Sequence, residues 1–265
     1  MYSVSGLLKP HFALTLQDMK RTEFCGPRSV LGQYMTEVCN GTGCLRVSVS
    51  RLASLLHSVF ENVKVMKTLI VFNHPYGGSY CGALMAAVER GLRKSGQPFR
   101  IINLDQDDFD PVMRSKDLLA FVGAGKGGPD ALDAVDDQVK EYKRHLEWAE
   151  HLVMIFPIWW MTMPAMTKGF VDKVIFPAVA YNMEGGRLVS RLSVRKVSVI
   201  TTMNTPADVY RERFNNAVEG SLINGTFRQI GIEDIRWTSI NGVKQASQEQ
   251  RVKWLEEVEA MFADS

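Results

Sequence analysis

Two stretches of the sequence combine residue types that bind ligands, and each directly follows a short apolar run. In the first, HPYGGSY at residues 74–80, the glycines permit a tight turn and Ser79 is suited to cap a following helix. Free backbone N–H groups at the start of a helix attract anions, so this turn indicates a phosphate site. An ordinary glycine-rich turn between a strand and a helix, with a structural His74, fits the same residues.

The second stretch, FPIWWMTMPAMTKG at residues 156–169, is unusually apolar for a loop. Two tryptophans and two methionines lie between two prolines, whereas loops normally avoid exposing such side chains. A flat conjugated ligand would cover this surface, and the prolines would hold the loop in shape for it. The alternative is that Trp159 and Trp160 belong to the core or to an interface.

A third motif, GAGKGG at residues 123–128, matches the G-x-G-x-x-G pattern of dinucleotide-binding turns. That arrangement also needs an acidic residue at the end of the next strand, where it binds a ribose. Here the next predicted strand ends in IFP at residues 155–157, and residues 118–122 make a poor first strand. We therefore expect a flexible loop rather than a dinucleotide site.

Three of the four cysteines, Cys25, Cys39 and Cys44, lie in the first 65 residues. Cys39 and Cys44 have the spacing of half a metal site, but no second Cys/His pair follows at a zinc-like spacing, so unpaired surface thiols and no metal are expected. Four cysteines do not make a disulfide framework in a chain of this length, which favours the cytoplasm. The stretch from Leu45 to Val59 is amphipathic and poor in acids, and it predicts a short surface helix.

The composition excludes several functional classes. An apolar fraction of 46% is ample for a globular core. A net charge of +2, with both signs interspersed, gives no nucleic-acid-binding footprint. The sequence has no apolar run of about 18 residues and no signal-peptide pattern at its start, which argues against a membrane span and against secretion.

Five strand-length apolar runs predict the scaffold that positions the two stretches. They lie at residues 67–73, 99–104, 151–156, 196–201 and 235–240, and helical patterns separate them at residues 84–92, 131–148, 165–174, 207–230 with breaks, and 248–262. Three of the runs are apolar almost throughout, as in parallel strands that helices cover on both faces. The alternation predicts an α/β fold, a flavodoxin-like doubly wound five-stranded parallel sheet in the order 2-1-3-4-5.

Ligands bind such sheets outside the carboxyl ends of the strands, so the loops after Asn73, Phe156 and Thr201 form the candidate site. The predicted domain covers residues 66–265. Hydrophobic periodicity is patchy over residues 1–65, and Gly, Pro, Ser and Thr interrupt it. We expect an extension there that is largely disordered or loosely helical, and we hypothesise that it reflects an early start codon.

At these loops the sequence resembles the flavodoxin-like NAD(P)H:quinone oxidoreductase family, of the DT-diaphorase and potassium-efflux ancillary type. The shared features are a His-containing turn after the first strand (74–80), an F-P…W…P-A…K-G element (156–169) and a T-T loop after the fourth strand (201–204). FDPVM at residues 109–113, followed by Lys116 and Asp117, also looks like the family's stretch after the second strand. The match runs from about Met66 to the C-terminus.

The resemblance implies a bound flavin, FMN or FAD, with NAD(P)H as the reductant. It implies that the flavin phosphate or pyrophosphate lies against His74, Ser79, Tyr80 and Cys81. It implies that the isoalloxazine lies on Pro157, Ile158, Trp159, Trp160 and Met161, largely through backbone N–H groups. It places Thr201, Thr202, Met203 and Asn204 at the other polar edge of the ring.

The resemblance also implies two candidate catalytic tyrosines. Tyr181 matches a family tyrosine that reaches across a dimer into the neighbour's substrate pocket, and Tyr210 matches a tyrosine that follows the fourth strand. Asn216 stands where DT-diaphorases have a histidine, so that family's histidine relay is not carried over. Met203 and Asn204 replace family glycines, which would narrow the pocket.

The implied activity is ping-pong hydride transfer from NAD(P)H through the flavin to a quinone or a similar flat acceptor. We expect a homodimer, because the apolar segment 174–180 exceeds what one short helix can bury. One alternative is a flavodoxin-like electron carrier, although such carriers are usually strongly acidic. The other is a regulatory subunit of a potassium-efflux membrane transporter, since the same fold serves both roles.

Overall fold

The computed structural model describes residues 35–40, 43–48, 65–125, 135–177 and 179–264, and the chain divides into two compact units, 1–64 and 65–265. In the first unit, β1 (Met35–Asn40) and β2 (Gly43–Ser48) pair antiparallel, with the Cα of Cys39 opposite that of Cys44. Residues 45–48 thus lie in a strand, and the helix predicted from Leu45 is wrong there. The remaining residues of 1–64 lie outside the described residues, and the predictions made for them stay predictions.

The second unit alternates strands and helices. Its elements are β3 (Thr68–Phe72), α1 (Tyr80–Lys94), β4 (Phe99–Asn103), α2 (Ser115–Gly125), α3 (Asp137–Trp148), β5 (His151–Pro157), α4 (Ala165–Val174), β6 (Tyr181–Glu184), β7 (Arg187–Ser190), β8 (Lys196–Met203), α5 (Ala207–Phe214), a π-helix (Glu219–Arg228), β9 (Asp234–Asn241) and α6 (Gln248–Ala263). Among the described helices, none combines the length and the apolar character that a membrane span requires.

One parallel sheet joins five of these strands in the order β4-β3-β5-β8-β9. When only the five strands of this sheet are numbered along the chain, this is the predicted order 2-1-3-4-5, and the prediction is confirmed. Successive strand residues alternate between the two faces: Ile70 packs with α1 and α6, while Leu69 and Val71 pack with the helices of the opposite face. Helices cover both faces, which explains why the strands are apolar almost throughout.

Helix α2 corrects the interpretation of the G-x-G-x-x-G motif. Gly123 and Gly125 lie in the last turn of a helix, so the flexible loop predicted there is wrong, and residues 126–134 lie outside the described residues. A helix precedes the glycines instead of the strand that a dinucleotide-binding turn requires. The side chain of Asp117 accepts the backbone N–H of Arg114 at 2.8 Å, which caps the helix start.

The segment before α2 packs tightly on α4. A Cβ atom at Gly169 would lie 2.4 Å from the Cα of Pro111, so only glycine permits this approach. Buried Lys173 donates from Nζ to the carbonyl of Asp110 at 3.0 Å, and its Nζ lies 3.7 Å from carboxylates of Asp117 and Asp136. These contacts explain the K-G…K pattern and hold the middle and the end of α4, the helix that begins where the aromatic loop ends.

Candidate functional site

The turn between β3 and α1 presents unpaired donors at the carboxyl edge of the sheet. Ser79 caps α1, and its Oγ accepts the N–H of Gly82 at 3.1 Å. Four backbone N–H groups of the turn have no hydrogen-bond acceptor among the described residues. They belong to Gly77, Gly78, Tyr80 and Cys81. Four free N–H groups at a helix start form a site for an anion.

His74 joins this turn to the aromatic loop. Its Nδ1 accepts the N–H of Tyr76 at 3.1 Å, so the ring proton of the neutral imidazole lies on Nε2, which is a donor. The ring meets that of Trp159 edge to face, with the centroids 6.0 Å apart. His74 can therefore donate to a ligand that lies between the two loops.

Two residues predicted to line the phosphate have their side chains elsewhere. The Sγ of Cys81 is buried 3.1 Å from the Oγ1 of Thr202, and burial raises the pKa of the thiol to about 11. The hydroxyl of Tyr80 donates to the carbonyl of Arg251 at 2.7 Å, and burial raises its pKa to about 12. Only their backbone N–H groups face the anion site, while their side chains hold α1 against β8 and α6.

The aromatic loop closes into a tight turn. Trp159 and Thr162 exchange backbone hydrogen bonds of 3.0 and 3.1 Å around Trp160 and Met161, which have φ values of 47° and 65°. This left-handed conformation is costly for residues other than glycine. It leaves 96% of Trp160 and 46% of Trp159 exposed at the mouth of the site.

The loop offers fewer backbone donors than expected. Ile158 donates its N–H to the carbonyl of Thr202 at 2.8 Å, and the N–H of Trp159 is used within the turn. Pro157 has no N–H. Among the described residues, only the N–H groups of Trp160 and Met161 remain without an acceptor over positions 157–162.

The residues predicted to form a loop at 201–204 contribute less than the sequence predicted, because β8 extends to Met203 and only Asn204 follows the strand. Thr201 is fully buried, and its Oγ1 accepts the indole N–H of Trp237 at 2.9 Å. Met203 is buried, and the Oδ1 of Asn204 accepts the N–H of Lys244 at 3.1 Å. Asn204 is the exposed residue among positions 201–204. Its side-chain nitrogen can donate a hydrogen bond to a ligand, since its Oδ1 is already used.

Tyr210 supports the aromatic turn from below. It is only 1% exposed, and its hydroxyl donates to the carbonyl of Met161 at 2.8 Å and accepts the N–H of Val218 at 3.1 Å. Burial raises its pKa. A hydroxyl with both partners inside the protein is a positioning group, so this geometry differs from the catalytic role that the resemblance implied.

Tyr181 lies apart from the three loops. It is the first residue of β6 and is half-buried, and burial raises its pKa. Across the described residues, no hydrogen bond or ring contact joins it to these loops. Its predicted role depends on a second chain and stays a prediction.

Asn73 is a site residue that the sequence analysis missed. It is buried at the end of β3, where its Nδ2 donates to Asp105 at 2.6 Å and its Oδ1 accepts from Thr167 at 2.9 Å. These bonds tie the phosphate turn to the β4 loop and to α4. The one available signal was a polar residue at the carboxyl end of an apolar strand.

A family model described as a flavodoxin-like fold matches residues 66–262. The chain belongs to this family. The predicted flavodoxin-like resemblance is thereby confirmed, with the match beginning at Met66, as expected.

Two curated relatives of this flavodoxin-like chain are informative. An uncharacterized NAD(P)H oxidoreductase of Haemophilus influenzae is 26% identical over 174 residues, 65% of this chain and 82% of the relative. An FMN-dependent NADH:quinone oxidoreductase of Ruegeria pomeroyi is 26% identical over 178 residues, 64% of this chain and 85% of the relative. Among solved structures, the NAD(P)H:quinone oxidoreductase from Methanothermobacter marburgensis has a TM-score of 0.67 at 20% identity, covers 76% of this chain and 98% of its own, and supports the fold.

Proposed function

We propose that the chain is an NAD(P)H-dependent flavoprotein oxidoreductase that reduces quinones or similar flat acceptors by ping-pong hydride transfer. One observation carries the proposal: the anion-binding turn and the exposed aromatic turn lie side by side. The ring of His74, from the first turn, contacts the ring of Trp159, from the second. The names of the curated relatives support the same reaction class.

The donor set fits a flavin. Four unpaired N–H groups and the Nε2–H of His74 suit a phosphate, while exposed Trp159 and Trp160 suit a flat ring. A bound flavin supplies the hydride chemistry. The N–H groups of Trp160 and Met161 are the donors available to stabilise negative charge on a reduced ring, and Tyr210 holds the turn through the carbonyl of Met161.

One shared site serves both half-reactions in this proposal. NAD(P)H binds next to the bound flavin and leaves before the acceptor takes its place, so reductant and oxidant never meet directly. The apolar surface excludes water from the reacting face. We place the enzyme in the cytoplasm, since the cysteine usage favours a reducing compartment.

The homodimer needs a different argument from the one drawn from the sequence. The segment 174–180 was expected to exceed what one short helix can bury, but the rest of the same chain covers it, so it gives no argument for a dimer. Its buried residues are Val174, Ile175, Phe176, Val179 and Ala180. Helix α2 instead exposes Leu118, Leu119 and Val122 on one side. We propose that this apolar face supports a two-fold dimer in which Tyr181 completes the partner's site.

Flavin loading and turnover test the proposed function directly. Full-length protein is expected to purify yellow or to take up one FMN or FAD per chain, and to oxidise NADH or NADPH with a quinone. An electron carrier alone would bind flavin without supporting this oxidation. A colourless protein that neither flavin stabilises against heat contradicts the proposal.

The substitution Trp160→Ala tests the aromatic turn. Because Trp160 is almost fully exposed, the free energy of unfolding of the flavin-free protein should stay unchanged. Flavin affinity should fall by about 1–3 kcal/mol if the ring covers this side chain. Flavin titration and urea unfolding of both proteins check this, and equal flavin affinities would remove Trp160 from the site.

A further inference from the structure

A cavity lies between helix α3 and the end of helix α4, and its volume is about 220 Å³. One wall comes from α3 and the residues just before it, and the other comes from the last turn of α4 and the segment that follows. The described residues that line it include none from the anion-binding turn (74–80) or the aromatic turn (159–162). The cavity is therefore separate from the site proposed for the flavin.

The inside of the cavity is apolar. Val135 and Val139 line it from the α3 side, and Val174, Phe176 and Val179 line it from the α4 side. All five side chains are buried and belong to one hydrophobic cluster. Because an apolar cavity of about 150 Å³ holds benzene, this one has room for a larger apolar group, such as two fused rings or a short alkyl chain.

The outer part of the cavity is cationic. Lys140, Lys143 and Arg144 all line it, since residues three and four apart lie on one face of a helix. The two lysines are half-buried, with 32% and 25% of their side chains exposed, and Arg144 is exposed. No acidic residue is among the described residues that line the cavity. Three positive charges thus meet at one opening that no described carboxylate lines.

These cations keep unused hydrogen-bonding capacity. The Nζ of Lys143 lies 3.7 Å from Glu147, which is too far for a hydrogen bond, and Arg144 has no hydrogen bond or ion pair with any described residue. Lys140 donates to Asp137 at 3.2 Å, but this aspartate is 98% exposed, so water weakens the pair. A guanidinium beside an ammonium group suits a carboxylate.

The fourth cation of the cavity, Lys173, already has its partners. It is only 2% exposed, and its Nζ donates to the carbonyl of Asp110 at 3.0 Å. Carboxylates of Asp117 and Asp136 lie 3.7 Å from the same nitrogen and compensate its charge. A ligand's negative charge therefore belongs at the outer part of the cavity, beside the cations of α3.

We propose that this cavity binds an organic carboxylate with a compact apolar body, either an aromatic ring system or a short alkyl chain. The carboxylate accepts hydrogen bonds from Lys143 and Arg144, and the apolar body packs on the valines and on Phe176. Cations alone would attract any anion, and an apolar wall alone would hold any apolar molecule. The combination selects a molecule that carries the two features at opposite ends.

Calorimetric titration of the full-length protein, with excess FMN present to cover the aromatic turn, tests the ligand class. The probe 1-naphthoate should bind. Naphthalene-1-methanol, which has no charge, and inorganic phosphate, which has no apolar body, should each bind at least about tenfold more weakly. Octanoate, titrated in parallel, shows whether a ring system or an alkyl chain is preferred, and either preference supports the site.

Two charge-removing variants test the position of the carboxylate. Lys143→Gln and Arg144→Gln should each weaken 1-naphthoate by about tenfold, because each removes a charged donor from the opening. Lys253→Gln is the matched control, since this exposed lysine of α6 lies 3.9 Å from Glu257, four residues on, as Lys143 lies near Glu147. It removes the same charge on the opposite face of the sheet and should leave the affinity unchanged.

Three results overturn the inference: no binding of 1-naphthoate, equal affinities for 1-naphthoate and the neutral alcohol, or equal effects of Lys143→Gln and Lys253→Gln. A protein that binds flavin and gives any of these results refutes the carboxylate site alone. Binding of 1-naphthoate that depends on Lys143, in a protein that binds neither FMN nor FAD, refutes the proposed function and leaves the carboxylate site standing.

Discussion

At the scale of single residues, the hydroxyl of Tyr210 supports the aromatic turn. Tyr210→Phe removes the donor to the Met161 carbonyl and leaves the buried N–H of Val218 unpaired. We expect the free energy of unfolding to fall by about 1–3 kcal/mol. Flavin affinity should weaken as well, because the left-handed turn loses the hydrogen bond that stabilises it.

Urea unfolding and flavin titration measure both effects. Tyr76→Phe is the control, since Tyr76 is 68% exposed and its hydroxyl has no partner among the described residues. A Tyr210→Phe protein with normal stability and flavin affinity, but with reduced kcat and an altered pH profile, would instead make Tyr210 a catalytic residue.

His151 makes the stability of the fold depend on pH. It is buried at the start of β5, its Nε2 lies 2.9 Å from the Oγ of Ser198, and its ring stacks on Phe262. Burial, and then the charge of Lys196, lower its pKa from 6.5 to about 3. The folded protein therefore holds the neutral ring, and the unfolded chain gains a proton first as the pH falls.

The stabilisation from neutral His151 is complete above pH 6.5 and is lost as the pH falls towards about 3. The expected slope is up to about 1.4 kcal/mol per pH unit. Urea unfolding between pH 7 and pH 4 checks it. His151→Gln should flatten this dependence on pH, and His145→Gln, at a half-buried histidine of α3, is the control. Parallel curves for the His151 variant and the parent would contradict the prediction.

At the scale of elements, the close approach of Pro111 to Gly169 sets the position of α4. Gly169→Ala places a methyl group 2.4 Å from the Cα of Pro111, so the helix must move. We expect a loss of about 1–3 kcal/mol in the free energy of unfolding, together with weaker flavin binding, because α4 begins where the aromatic loop ends.

Thermal unfolding and flavin titration provide the measurements. Gly220→Ala is the matched control, because a Cβ at Gly220 has no atom within 4 Å and alanine favours helical structure. Equal melting temperatures for Gly169→Ala and the parent would show that the backbone at Pro111 moves away from the added methyl group at no cost in stability.

The sequence predicted β3, β5 and β8 well, because a parallel strand covered on both faces is apolar along its whole length. The edge strands β4 and β9 are partly exposed and were predicted from less uniform apolar runs. The prediction failed at α2, where the short apolar run at residues 118–122 has no clear helical stripe. That run is helical because Asp117 caps it and because Phe121 packs on Phe176, with ring centroids 5.3 Å apart. Neither contact is visible in the local pattern.

The candidate site was predicted at the level of loops but not of contacts. Glycines and prolines marked the turns, whereas the left-handed backbone at Trp160 and Met161 carries no glycine signal. The bonds of Asn73 to Asp105 and Thr167 span 32 and 94 residues. Local periodicity carries no information about partners so far apart along the chain.

At the scale of the whole molecule, the apolar face of α2 predicts association. Leu119 is 74% exposed in the single chain. Sedimentation at micromolar concentration should give a dimer, and Leu119→Glu should shift it to monomer, because a buried unpaired charge is costly. Val252→Glu, at an exposed valine on α6, is the control and should stay dimeric. A fully active monomeric parent would refute the dimer.

The exposure of Trp160 also gives the protein its own optical reporter. Of its five tryptophans, this one is surrounded almost entirely by water, so its fluorescence should lie at the long-wavelength edge of the emission band. A chromophore seated on the indole would quench that part of the spectrum and spare the more buried tryptophans. Occupancy of the site, and exchange of reductant for acceptor during turnover, can then be followed in real time without a label.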